Sequence, residues 1–231
     1  MKTAKFLNLL IFVVLFFSNP ASANMLVDRI IVDFLPGSSF RQDVGITNPS
    51  DEPLYIQVEV LEVTNPGTED ERRELVRDPE TLGFIATPNR LTIPARGRRS
   101  VRLVNLDGHG DTEQVYRVNL KPVSPPFETD TSVIRIMVGY QLLVFIAPQS
   151  PDSNLEWSRQ GADLQLKNVG NTNIHLSSGE QCWQQESERE CADLPTRRLY
   201  PGNKMSLEIH PDADVSYRVE SLGRPERRFF N

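Results

Sequence analysis

The stretch SVIRIMVGYQLLVFIA, Ser132 to Ala147, decides the fold of this chain. Its first half alternates, with Ile134, Ile136, Val138 and Tyr140 on one face of an extended backbone and Arg135, Met137, Gly139 and Gln141 on the other. Its second half, Leu142 to Ile146, is apolar at every position. Alternation at period two predicts a half-covered strand, and a continuous apolar run predicts burial on both faces. The stretch therefore reads as one long β-strand whose halves have different surroundings. Most strands span about five or six residues. One this long, with an uncharged apolar face, pairs with foreign chains at a sheet edge unless something covers it. That makes it a candidate binding device.

The amino terminus carries Lys2 and Lys5, an apolar run from Phe6 to Phe17 broken by Asn8, and the small-residue pattern Ala21-Ser22-Ala23. This is the layout of a secretory signal peptide over residues 1–23, cleaved after Ala23. The run falls short of the roughly 20 apolar residues that span a bilayer, and Leu142 to Ala147 stops at Pro148. The expectation is a mature protein outside the cytoplasm with no membrane insertion. The chain has a formal charge of -6, and loss of Lys2 and Lys5 leaves 23 basic against 31 acidic side chains, or -8. An acidic balance argues against nucleic-acid binding, which relies on neutralising phosphates. The clustered arginines Arg96, Arg98, Arg99 and Arg102, and Arg224, Arg227 and Arg228, read first as solvated faces. Cys182 and Cys191 are the two cysteines, and in an oxidising compartment an even count predicts a disulfide across a short hairpin loop.

Turn signals recur at Pro36-Gly37, Asn48-Pro49, Asn65-Pro66-Gly67, Asp107-Gly108, Pro125-Pro126 and Pro201-Gly202-Asn203. Between them lie β-branched and aromatic runs such as Tyr55 to Val63, Ser100 to Val104, Val115 to Val123 and Val215 to Val219. Short strands punctuated by Pro and Gly predict an all-β chain of sandwiches. The segment Ala147 to Ser153, APQSPDS, ends a strand in two prolines. It divides the chain into β domains at 24–147 and 152–231 with a hinge at 148–151. His109, His175 and His210 stand apart in sequence, and no nucleophile elbow, phosphate-cradling glycine loop or zinc-protease motif is present. The expectation is a binding protein, not an enzyme, with no cofactor and no metal.

Several patterns in order resemble a known family. Phe84-Ile85-Ala86-Thr87-Pro88-Asn89-Arg90-Leu91-Thr92-Ile93-Pro94, then Gly97 and Ser100-Val101-Arg102-Leu103, is similar to the T-P…L-x-P-G…V-R pattern of the periplasmic pilus-assembly chaperones, the PapD-like family of chaperone-usher systems. Tyr116 to Val123 with Pro125-Pro126 resembles its penultimate strand, and Ile134 to Pro148 the last strand of its first domain. The resemblance implies two Ig-like sandwiches in an L-shaped, boomerang arrangement. It implies a periplasmic chaperone that lends a strand to incomplete fimbrial subunits and delivers them to an outer-membrane usher without ATP. Aligned back from Pro148, the donor residues are Ile134, Ile136 and Val138.

Better-known members grip the subunit's terminal carboxylate with a basic pair, and here the aligned positions are Ile31 and Leu143. This points to a divergent, archaic or alternate branch. Alternation puts Tyr116, Val118 and Leu120 inward and Arg117, Asn119 and Lys121 on the opposite face. Arg117 is then the candidate replacement anchor, with Lys121 beside it, or else an exposed strand arginine. Glu113 and Glu220 match the family's acidic interdomain contacts, but the arginine expected before Pro148 is Ala147. A second copy of the chain is a further expected partner, covering the free edge. The competing reading is a secreted Ig-like adhesion or carbohydrate-binding module, for which Trp157 and Trp183 are the available tryptophans.

Overall fold

The computed structural model describes residues 25–75, 83–124, 137–186 and 188–231. Residues 1–23, the expected leader, lie outside them, as do Ile134 and Ile136. The described residues form eighteen strands and no helix. The amino-terminal sandwich contains β1 (Leu26–Val27), β2 (Ile31–Phe34), β3 (Arg41–Thr47), β4 (Leu54–Thr64), β5 (Arg72–Leu75), β6 (Phe84–Thr87), β7 (Arg90–Ile93), β8 (Arg98–Asn105), β9 (Gln114–Val123) and β10 (Tyr140–Ile146). One sheet runs β1-β3-β8-β6 and the facing sheet β2-β10-β9-β4-β5, with β7 also on β4. The carboxy-terminal sandwich contains β11 (Leu155–Gln160), β12 (Asp163–Asn168), β13 (Ile174–Gln185), β14 (Glu188–Leu194), β15 (Arg197–Leu199), β16 (Lys204–Glu208), β17 (Asp214–Ser221) and β18 (Arg224–Phe229). Its sheets run β11-β12-β16 and β14-β13-β17-β18, with β15 also on β13.

Alternation builds each core. In β9, Tyr116, Val118 and Leu120 are buried, and in β10 so are Leu142, Val144 and Ile146. All six join Phe34, Val44, Ile56, Phe84 and Leu103 in the first core. Phe84 stacks on Tyr116 at 4.8 Å and meets Phe34 edge-on at 5.8 Å. The second core gathers Leu164, Leu166, Leu176, Val215, Tyr217 and Phe230. Strand β13 changes register between Ser177 and Glu180, and Gly179 there leaves room for the Tyr217 ring. Cys182 and Cys191 are directly opposed across β13 and β14 and form a disulfide.

Each sandwich also pins a loop with a fully buried asparagine. Asn48 Nδ2 donates to the carbonyls of Glu52 (2.7 Å), Ile93 (3.2 Å) and Pro94 (3.0 Å). Asn168 Nδ2 donates to those of Thr172 (2.8 Å) and Leu199 (2.9 Å). Buried amides persist when their donors and acceptors are paired in this way.

Of the single strand expected over Ser132 to Ala147, residues 132–136 lie outside the described residues, and the described part is shorter than expected. β10 begins at Tyr140, and Met137, Val138 and Gly139 lie outside any strand. Tyr140 pairs with Leu120, so continued pairing would bring β10 against Pro122, which has no N–H to give to the ladder. A Cβ on Gly139 would also sit 3.0 Å from the Leu120 carbonyl oxygen, leaving little room for an ordinary residue there.

Leu142 is fully buried within the first core. Truncation to alanine is expected to cost about 2–5 kcal/mol, read as a lower urea midpoint. Leu143→Ala, on the opposite face, should cost less.

Candidate functional site

Strands β10 and β2 form the only parallel pair among the described strands. Strand β10 pairs with β9 along its whole length, Tyr140↔Leu120 to Ile146↔Gln114, but with β2 only from Leu143↔Ile31 to Ile146↔Phe34. A bond from Leu143 N to Ile30 O, 2.8 Å, closes that second edge. From Tyr140 to Leu142 no strand among the described residues covers it. Exposed apolar side chains gather around this opening: Ile30, Ile31, Met137 and Val138, the last half exposed. Of the three expected donor residues, Val138 is therefore accessible.

Directly opposed residues share a sheet face, so the registers lay out the outer face of this sheet in rows. One row reads Ile31, Leu143, Arg117, Leu61, Leu75 across five strands. The two positions that carry a basic pair in the resembled family are thus neighbours, both apolar, and Arg117 stands next to them. Its Nε is buried with no hydrogen-bond partner among the described residues. A desolvated guanidinium nitrogen without an acceptor is costly. Lys121 differs. It is exposed and paired with Glu59, whose carboxyl the Lys121 hydrogen bond holds below its ordinary range. It lies two rows further from Leu143 than Arg117 does.

The neighbouring row carries Asp33, Phe145, Val115 and Val63. Val63, Val115 and Phe145, with Leu143, form a small apolar cluster closed by Tyr200 from the other sandwich. The Phe145 and Tyr200 rings lie 6.3 Å apart. This contact covers the second face of the continuous apolar run in β10.

A polar cluster lies beside it. Glu113 Oε2 accepts from Thr172 Oγ1 (2.8 Å), Asn173 N (3.1 Å) and Asn173 Nδ2 (2.6 Å), while its Oε1 is buried and unpaired. Burial raises the Glu113 carboxyl above its ordinary range despite these bonds. Arg198 donates to Asn173 Oδ1 and lies 4.9 Å from the Phe145 ring centroid. Its charge acts on Glu113, Asp33 and Glu220, and all four line one cavity of about 60 Å³ with His175 and Ala147. The cation missing at Ala147 thus comes from β15 of the other sandwich. The sequence offered little sign of it, because Arg198 is one of two adjacent arginines ahead of buried Leu199 and Tyr200.

Other sequence candidates find structural roles. Arg96, Arg98 and Arg102 pair with Asp51, Asp28 and Asp43. His109 meets the Ala147 carbonyl at 2.7 Å. Trp183 stacks on His210 at 4.8 Å, and Trp157 meets Phe230 edge-on at 5.9 Å.

Residues 24–152 match the family described as pili and flagellar-assembly chaperone, PapD N-terminal domain. The chain is 28% identical over 202 residues to a CS1 fimbrial protein of Escherichia coli, covering 82% of each. Its fold is similar to the class 5 fimbriae chaperone CfaA, with a TM-score of 0.68 at 22% identity over 90% of this chain and 98% of that one. It is also similar to a structure of Salmonella enterica SafA pilin in complex with the SafB chaperone, with a TM-score of 0.63 at 16% identity over 92% and 98%.

Because the folded state raises the Glu113 carboxyl, the ionised form carries a penalty at neutral pH that fades as pH falls through the folded value toward about 4.5. Glu113→Gln keeps an acceptor and removes that penalty. It is expected to raise the thermal midpoint at pH 7, with the gain shrinking toward pH 4.5. Arg198→Met strips the carboxylates of their cation and should cost about 1–3 kcal/mol at pH 7, discounted for partial exposure.

Proposed function

The chain belongs to the pilus-assembly chaperone family, and on that premise we propose that it captures immature fimbrial subunits in the periplasm by lending them a strand. The observation that carries this reading is the edge of β10, covered by no described strand over Tyr140 to Leu142, on the sheet whose outer face carries Arg117. An incomplete subunit adding a strand to that edge gains main-chain hydrogen bonds whatever its sequence. Ile134, Ile136 and Val138 have the parity of Tyr140 and Leu142, and they fill the subunit's groove at period two. Ile134 and Ile136 lie outside the described residues, so their part rests on this parity. Each apolar side chain buried in this way is worth about 1.5–3 kcal/mol.

In this reading Arg117 grips the subunit's terminal carboxylate, since a guanidinium fork matches a carboxylate. Lys121, held by Glu59, is left out of the grip. The hinge at 148–151 joins domains 24–147 and 152–231, and residues 1–23 direct export. Another subunit's extension displaces the lent strand at an outer-membrane usher. Before capture, a second copy of the chain covers the free edge.

Co-expression with a candidate small fimbrial subunit carrying its own export signal tests the reading. The expected outcome is a one-to-one complex that Ile136→Asp or Val138→Asp abolishes and Arg117→Ala weakens about tenfold to hundredfold. No complex with the parent chain overturns the proposal. If Arg117→Ala binds as well as the parent while Ile136→Asp fails, the lent strand stands and the anchor falls.

A further inference from the structure

The chain supplies its own negative charge to the neighbourhood of Arg117. It comes from residues 65–71, the connection between β4 and β5, which folds tightly on itself. Thr68 N donates to Asn65 O and Glu71 N to Thr68 O, both at 3.3 Å. The Glu71 carboxylate is held at both oxygens, Oε2 by Gly67 N at 2.8 Å and Oε1 by Arg73 Nε at 2.8 Å. Its side chain is four-fifths buried.

This connection is fastened to the opposite sandwich. Asn203 Nδ2 donates to Pro66 O at 2.9 Å and Arg197 Nη2 to Gly67 O at 3.4 Å. Gly67, at φ 73, lies against the Tyr200 ring, where a Cβ would come 2.8 Å from Cδ2. The residue that binds the Glu71 carboxylate therefore touches Tyr200, and Tyr200 packs with Val115 and Leu143, which flank Arg117 along and across the strands. Gly67, Tyr200 and the apolar cluster thus bring Glu71 and Arg117 to one end of the cleft. The electrostatics agree. The Gly67 hydrogen bond, then Arg73, then the Arg117 charge hold the Glu71 carboxyl below its ordinary range. Tyr200 senses both Arg117 and Glu71.

We infer that Glu71 is the resident counter-ion of Arg117, and that an incoming carboxylate binds the anchor in competition with it. The inference rests on the reading of Arg117 as anchor. A carboxylate drawn to the guanidinium meets a like charge already fixed nearby, and Arg73 offsets that charge only in part because it is itself half exposed. The empty cleft therefore holds its cation partly neutralised, and the bound carboxylate is attracted less strongly than by an isolated arginine. The competing charge is positioned by bonds to the other sandwich, so the anchor's strength depends on how the sandwiches pack.

The test uses a short peptide that alternates Val and Thr and ends in Phe, with a free carboxylate or as the amide, bound to the full chain and followed by fluorescence anisotropy. Glu71→Gln keeps an acceptor for Gly67 N, and circular dichroism checks that it folds. It should strengthen binding of the free acid about three- to tenfold and leave the amide within about twofold of the parent. In an Arg117→Ala background the same change should do nothing, because no anchor remains to modulate. If the parent prefers the acid but Glu71→Gln leaves that preference unchanged or lowers it, the counter-ion is refuted and the anchor survives. If the parent binds acid and amide alike, or neither, the anchor is refuted and the counter-ion falls with it.

Discussion

The structure depends on the demand of one strand, β10, for cover on two edges and two faces. Over Leu143 to Ile146 every demand is met: β9 on one edge, β2 on the other, the first core beneath and Tyr200 above. Each cover has a consequence. The parallel run of β2 exists beside β10 because an apolar strand left open there would recruit a foreign chain. The second sandwich docks where it does because Leu143 and Phe145 need burial on the face that the first core cannot reach. Where β2 departs at Ile31, its cover ends, and no described strand takes its place.

Apolar docking is non-directional, so the cluster around Phe145 and Tyr200 holds the sandwiches together without fixing their angle. Directional groups supply the rest. Glu113 is bonded three times on one oxygen by Thr172 and Asn173, and its backbone N donates to Asn171 O at 3.0 Å. Asn171 Nδ2 reaches back to the carbonyls of Asp111 and Ser150 at 2.9 and 3.1 Å. Buried charges add little net stability, because desolvation offsets their attraction. Their value between the two sandwiches lies in orientation. A guanidinium packed on Phe145 and bonded to Asn173 has one good position, and the cleft takes its shape from it.

The sequence was most legible where a single physical rule acts alone. Period-two burial in β9 follows from alternation, and the apolar half of β10 announces two covered faces. The disulfide follows from the even cysteine count and the short spacing from Cys182 to Cys191. Legibility failed where residues distant in sequence compete. Nothing within Ser132 to Ala147 says that pairing stops at Tyr140, because the proline that stops it is Pro122 on another strand. The parallel pairing of β2 is equally silent, since Ile31 to Phe34 alternates like any edge strand. Arg198 was missed because a cation's partners are set by docking: its carboxylates come from β2, the approach to β9, and β17. Arg117 was visible as an outward strand position, but its place opposite Leu143, in one row with Ile31, needed the register.

Those two apolar residues change what kind of capture the cleft favours. A pair of cations closing on one carboxylate concentrates affinity in charge-assisted bonds, which are roughly twice as strong as neutral ones. A single guanidinium in the row Ile31, Leu143, Leu61 and Leu75, with Glu71 nearby, offers less at that point. In the proposed mode the balance shifts to side chains inserted along the lent strand, each contributing a few kcal/mol at most. Affinity spread over successive positions can be exchanged one position at a time by a competing strand. Affinity held in one clamp must be lost in a single step. In the proposed mode, a weaker anchor at the base of an apolar edge therefore suits release of the subunit by displacement.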